Sequence, residues 1–190
     1  MRIGFFGGCF NPPTNIHIGI AKELIDSKIL DKVIFVPVGD FYKKENLISA
    51  IHRYEMIKKA ITNEANLEVD DIEIKEKQEL SASDVFKKIE EKYQDVDRYF
   101  ILGSDNFMKI ETWKNYQEII EKYKYLVILR NNDQIKEKRG NVIVFKPLNS
   151  YKYDSTFVRN LISEGLDPSE YINKDVYNYI LKNKLYNKIN

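Results

Sequence analysis

Residues 2–27 read RIGFFGGCFNPPTNIHIGIAKELIDS. The apolar run Arg2–Phe6 ends in two glycines and a Pro-Pro turn, and a helical pattern then runs from His17 to Ser27. Strand, glycine-bearing loop and helix in that order form the first unit of a parallel α/β sheet. Ligands of such sheets bind beyond the carboxyl ends of the strands, most often after the first. Gly7 and Gly8 let the backbone turn sharply and approach a ligand closely, while Pro12 and Pro13 stiffen the loop. His17 falls in the first helical turn, where unpaired N–H groups and the helix dipole favour an anion, with Thr14 one turn earlier. Two glycines alone are weak evidence, because short glycine motifs recur in plain turns whose histidine only caps a helix. Neither G-x-G-x-x-G nor a Walker A lysine is present.

The same alternation continues outward. Strand-like runs are Lys32–Val36 (KVIFV, closed by Pro37), Leu67–Ile74, Arg98–Leu102 (RYFIL), Tyr125–Leu129 (YLVIL) and Asn141–Phe145. Helical spacing covers Ser49–Thr62, Ser83–Tyr93 and Trp113–Tyr123, and from about 154 onward the whole chain reads as helix. Strands rich in Val, Ile and Phe on both faces, each followed by a helix, are buried on both sides. The expectation is an α/β fold, a Rossmann-like doubly wound parallel sheet with a helical C-terminal end, in one domain spanning 1–190. The charged stretch Asn131–Arg139 reads as a solvated loop.

Composition removes several classes of function. The 30 basic and 29 acidic residues nearly cancel, so there is no global field for nucleic acid or for an anionic membrane surface. A 43% hydrophobic content is too apolar for a disordered chain, and a single cysteine excludes an intrachain disulfide or a multi-cysteine metal site. No apolar run approaches the ~20 residues of a membrane span, and MRIGFFGG lacks the build of a signal peptide. A cytoplasmic location is expected.

The complete string GGCFNPPTNIHIG is far more specific than its glycines. It resembles the GG-[ST]-F-D-P-x-H-x-G-H signature of the nucleotidyltransferase superfamily with an (H/T)xGH motif, with Gly7, Gly8, Phe10, Pro12 and His17 on the family positions. Thr14 stands for the first histidine and His17 is the second, Asn11 replaces the usual Asp, and Ile16 the usual glycine. Further along, LGSDNFMKIETWKNYQEI (102–119), PVGDFYKKENLISAIHRYEMIKKAI (37–61), YDSTFVR (153–159) and the ending at 158–186 resemble bacterial nicotinate (nicotinamide) mononucleotide adenylyltransferases. LSASDV (80–85) matches weakly.

This resemblance implies transfer of AMP from ATP to nicotinate mononucleotide, with Mg²⁺ bound through the phosphates and no protein metal site. It implies catalytic roles for His17 and Thr14. ATP would be bound by Gly7, Gly8, Cys9, Phe10, His17, Gly103, Asp105, Ser155, Thr156 and Arg159. The mononucleotide would be bound by Lys43 (Lys44 ranks behind it), Ser81, Ser83 and Trp113. No nucleic-acid or membrane partner is expected, and a homo-oligomer stays open. The nearest rival is pantetheine-phosphate adenylyltransferase, whose loop reads much like Thr14–His17 but which is shorter and lacks the Gly-x-Asp…Trp block. The rival of another class is a non-catalytic nucleotide sensor, against which the joint presence of His17, Thr156 and Arg159 speaks.

Overall fold

The computed structural model describes residues 1–130, 133–135, 141–148 and 153–187. Six parallel strands form one sheet: β1 (Arg2–Gly8), β2 (Lys32–Pro37), β3 (Leu67–Val69), β4 (Asp97–Gly103), β5 (Lys124–Ile128) and β6 (Val142–Phe145), in the order β3-β2-β1-β4-β5-β6. The helices are α1 (Asn15–Asp26), α2 (Ala50–Ala60), α3 (Ala82–Lys92), α4 (Ser104–Phe107), α5 (Tyr116–Lys122), α6 (Ser155–Ser163) and α7 (Lys174–Lys182). The doubly wound α/β expectation holds.

Strand alternation sorts the core into two layers. Phe5, Val36, Phe100 and Tyr125 pack on one face with Phe86 and Ile89 of α3 and Ile119 of α5. Phe6, Phe35, Ile101 and Leu126 pack on the other with Ile20 and Leu24 of α1 and Ile57 of α2. Phe86 stacks on Phe100 at 3.7 Å between ring centres, a pair worth about 0.5–1.5 kcal/mol beyond its buried area. A third cluster joins Met56 of α2 to Val158 and Ile162 of α6 and to Val176 and Ile180 of α7. That cluster brings the C-terminal helices back beside the first loop.

Three elements differ from the sequence reading. The strand expected over 67–74 stops at Val69, because the buried Asp70 turns the chain by accepting from the Ile72 N–H and is held there by Lys92 and Tyr93. The helix expected from Trp113 begins only at Tyr116, since Asn115 takes a left-handed backbone (φ 60°) and a short 3₁₀ turn, Ile110–Thr112, precedes Trp113. The C-terminal helix is two helices, parted by Gly165 (φ 75°) and Pro168 between α6 and α7. Of the 131–139 loop only residues 133–135 lie among those described.

Candidate active site

A cleft of about 930 Å³ opens above the carboxyl ends of β1 and β4, where Gly7 and Gly8 face Leu102 and Gly103. The connections leave the sheet in opposite directions there, which is where a doubly wound sheet leaves a crevice. Trp113, Phe86 and Leu80 line the cleft together with His17, Arg130 and Arg159.

His17 is the third residue of α1, whose N-cap is Thr14. The Thr14 backbone N–H donates to His17 Nδ1 at 3.1 Å, and the Thr14 hydroxyl lies 2.8 Å from the same nitrogen. An amide N–H can only donate, so Nδ1 is the unprotonated nitrogen and the neutral ring carries its proton on Nε2. Burial holds the ring's pKa down at about 4; the Arg130 charge adds to this and Asp154 partly offsets it. Edge contact with Phe10 at 5.2 Å steadies the ring. The Thr14 hydroxyl is turned onto the imidazole, where Nδ1 is the acceptor one helical turn away.

Across the first loop, α6 is capped by Asp154, which accepts from the Phe157 N–H at 2.8 Å. Arg159 donates from Nη1 to the Asn11 carbonyl at 2.8 Å and from Nη2 to Thr156 Oγ1 at 3.1 Å. Ser155 donates to the Pro12 carbonyl at 2.8 Å, so its proton ties the two segments together. Gly7, Gly8, Cys9 and Phe10 line the cleft, Phe10 being only 3% exposed and also part of the core under His17. A Cβ at Gly103 would lie 2.5 Å from Asp105 Oδ1 and 2.9 Å from Arg130 Nε, so a side chain there would displace both groups. Asp105 and Arg130 pair at 3.1 Å over that glycine.

The expected mononucleotide residues divide. Trp113 lines the cleft, edge-on to Phe86 at 6.4 Å. Lys44, not Lys43, lies in the cleft, with its Nζ 3.6 Å from Cys9 Sγ. Ser81 lines it as the N-cap of α3, but its hydroxyl donates to Asp84 at 2.6 Å. Ser83 is fully buried, away from the cleft lining, and its Oγ has no hydrogen-bond partner among the described residues.

Sequence reasoning passed over Arg130, Glu73 and Tyr42, and gave Arg53 no role. A basic residue directly after the apolar strand YLVIL, at the ligand edge of the sheet, was the sign for Arg130. Arg53 is 0% exposed, and its guanidinium donates to the carbonyls of Ile48 (2.9 Å), Cys9 (3.0 Å) and Val38 (2.6 Å), fastening the loops after β1 and β2 together. Glu73 and Tyr42 close the cleft on that side, and burial pushes the Glu73 carboxyl up to about 7.

A family model described as cytidylyltransferase-like matches residues 5–161. The chain belongs to that family. Among curated relatives, the probable nicotinate-nucleotide adenylyltransferase of Clostridium acetobutylicum is 33% identical over 95% of this chain and 96% of its own. The protein of the same description from Clostridium tetani is 34% identical over the same shares. The fold is also that of the Plasmodium falciparum nicotinic acid mononucleotide adenylyltransferase complexed with NaAD, with a TM-score of 0.82 at 22% identity over 97% of both chains.

Proposed function

We propose that the chain is a nicotinate-nucleotide adenylyltransferase, transferring AMP from ATP to nicotinate mononucleotide to give deamido-NAD and pyrophosphate in NAD biosynthesis. The observation that carries this reading is one cleft in which the Nε2–H of a neutral His17, Arg130 and Arg159 share the lining with Trp113 and Phe86. A polyanion suits the first set and a flat pyridine ring the second.

The reaction needs neither a base nor a covalent enzyme intermediate. An oxygen of the mononucleotide 5′-phosphate attacks the α-phosphorus of ATP, and the bond from that phosphorus to the pyrophosphate oxygen breaks. The protein's work is in-line placement and stabilisation of the charge that builds on the α-phosphate. His17 does this by donating from Nε2 to a non-bridging oxygen, with the start of α1 behind it. Thr14 sets the tautomer that makes the donation available. Arg159, held at two points, receives the departing pyrophosphate, and Arg130 lines the same cleft, near enough to His17 for its charge to act on the ring. Trp113 offers a face to the pyridine ring, and Lys44 is the lysine placed to meet a phosphate.

Guanidinium and hydroxyl groups line the phosphate end with two carboxylates, Asp105 paired to Arg130 and Asp154 capping α6, a donor set that fits Mg²⁺ as an ion carried in on phosphate oxygens and water. When bound, the ion screens the triphosphate charge. Among the described residues no helix is long and apolar enough to cross a membrane, and a cytoplasmic location is part of this reading.

The test is a substrate panel: ATP and Mg²⁺ with nicotinate mononucleotide, its amide or phosphopantetheine, following pyrophosphate release. Release with nicotinate mononucleotide is expected. Release only with phosphopantetheine, or with no acceptor, contradicts the reading.

A further inference from the structure

Asn11 stands where four parts of the chain meet. Its Nδ2 donates to the Asn46 carbonyl at 2.8 Å, in the loop after β2. Its own carbonyl accepts from Arg159 Nη1 at 2.8 Å, on α6. Its Oδ1 accepts from the Tyr186 hydroxyl at 2.8 Å, in the segment after α7. A backbone carbonyl cannot donate, so Asn46 fixes which way the amide faces, and Tyr186 has to be the donor to Oδ1. Asn11 is 4% exposed, so losing that donor would leave a buried oxygen without a partner.

Tyr186 reaches this place by a turn that begins at the end of α7. Leu185 N–H bonds the Ile180 carbonyl at 3.1 Å, Tyr186 takes a left-handed backbone (φ 64°), and its ring packs against the α2–α6–α7 cluster. The side chain does not line the cleft. Its directed bond toward the cleft is the one to Asn11, and Asn11 touches the ligand machinery at Arg159.

We infer that Tyr186 is a positioning residue for adenylyl transfer: through Asn11 it holds the first loop and the Arg159 guanidinium in the arrangement that receives the triphosphate. This rests on the reading of the cleft as an ATP site. Arg159 has two anchors, Asn11 and Thr156, and the Asn11 anchor is only as firm as the amide beneath it. A tyrosine that merely packed would need no directed bond to a loop residue 175 positions away.

Tyr186→Phe removes one oxygen and keeps the packing, which makes it the cleanest perturbation. It should lower kcat/KM for ATP about five- to tenfold, the loss of one hydrogen bond to a buried group, with the KM for the mononucleotide within about twofold. The melting temperature should fall by no more than about 4 °C, which separates loss of positioning from unfolding. The decisive comparison is a double-mutant cycle with Arg159→Ala. If Tyr186 acts through Arg159, adding Tyr186→Phe to Arg159→Ala should change kcat/KM for ATP by less than about twofold. An equal drop in both backgrounds, or no drop in either, overturns the inference. The same cycle read as ATP dissociation constants by calorimetry needs no turnover. Wild-type protein that binds ATP but transfers nothing to the mononucleotide contradicts the functional reading alone, and the calorimetric cycle still decides this one.

Discussion

Replacing His17 by alanine should have two separable effects. The kinetic one is the loss of a donor aimed at a charge that grows in the transition state, which lowers kcat by about 10²–10³. The thermodynamic one follows from the half-buried, neutral ring. In the unfolded chain a histidine charges near about pH 6.5, whereas the folded ring resists protonation until about 4, mainly through burial and secondarily through Arg130. Between those values the unfolded chain takes up a proton that the folded chain refuses. The fold is therefore unaffected by this residue above about pH 6.5 and loses stability as pH falls, by about 2 kcal/mol near pH 5 and about 3 kcal/mol near pH 4. Glu73 acts in the opposite sense: its raised carboxyl, at about 7, removes stability as pH rises from the ordinary carboxylate range through 7. Subtracting mutant from wild type isolates His17, because Glu73 is present in both. Urea unfolding of wild type and His17→Ala at about pH 7 and about pH 5 should show the wild type losing about 2 kcal/mol relative to the mutant over that interval. A difference that stays flat with pH would show that the ring is not held neutral, and the Nε2–H donor argument would fall with it. The wild-type kcat should accordingly show no inflection near pH 6.5.

Trp113→Ala should raise the KM for the mononucleotide by about tenfold or more and that for ATP far less, read from steady-state kinetics; unchanged KM values with a lower melting temperature would make Trp113 a core residue. Cys9, beside the Lys44 ammonium on the cleft wall, should react with a thiol reagent in the apo protein, and ATP with Mg²⁺ should slow that reaction near the ATP dissociation constant. Equally fast labelling under saturating ATP would place the nucleotide elsewhere. Glu73→Gln should raise the melting temperature at about pH 8, where the wild-type carboxylate is charged in a buried place, and leave it nearly unchanged at about pH 5. Lys44→Ala should weaken mononucleotide binding more than Lys43→Ala, as only Lys44 lines the cleft; equal effects would refute that difference.

Much of this architecture is legible in the chain because periodicity carries it. The RIGFF, KVIFV, RYFIL and YLVIL runs read as strands of a covered parallel sheet, and the loop at residues 7–19 follows the first of them, so the place of His17 follows from order alone. Legibility ends where side-chain direction has no period. In the irregular stretch between β2 and α2 nothing in two adjacent lysines says that Lys44 turns toward Cys9 and Lys43 away. Ser81 and Ser83 differ by two positions at a helix start, enough for one to cap the helix at the cleft and the other to be buried. The backbone carbonyls that hold Arg53 leave no trace in residue type, and the side-chain bond of Tyr186 to Asn11 joins residues 175 positions apart. Asp70 ended a strand that hydrophobicity alone would have continued.

The central claim is that this cleft joins AMP to the phosphate of a pyridine mononucleotide. Incubating the protein with ATP labelled at the α-phosphorus, Mg²⁺ and nicotinate mononucleotide, and separating the products by chromatography, tests it most directly. The account predicts label in deamido-NAD, equimolar with pyrophosphate and dependent on the mononucleotide. Label recovered as free AMP, or left in ATP while the protein is folded and binds it, would contradict the account.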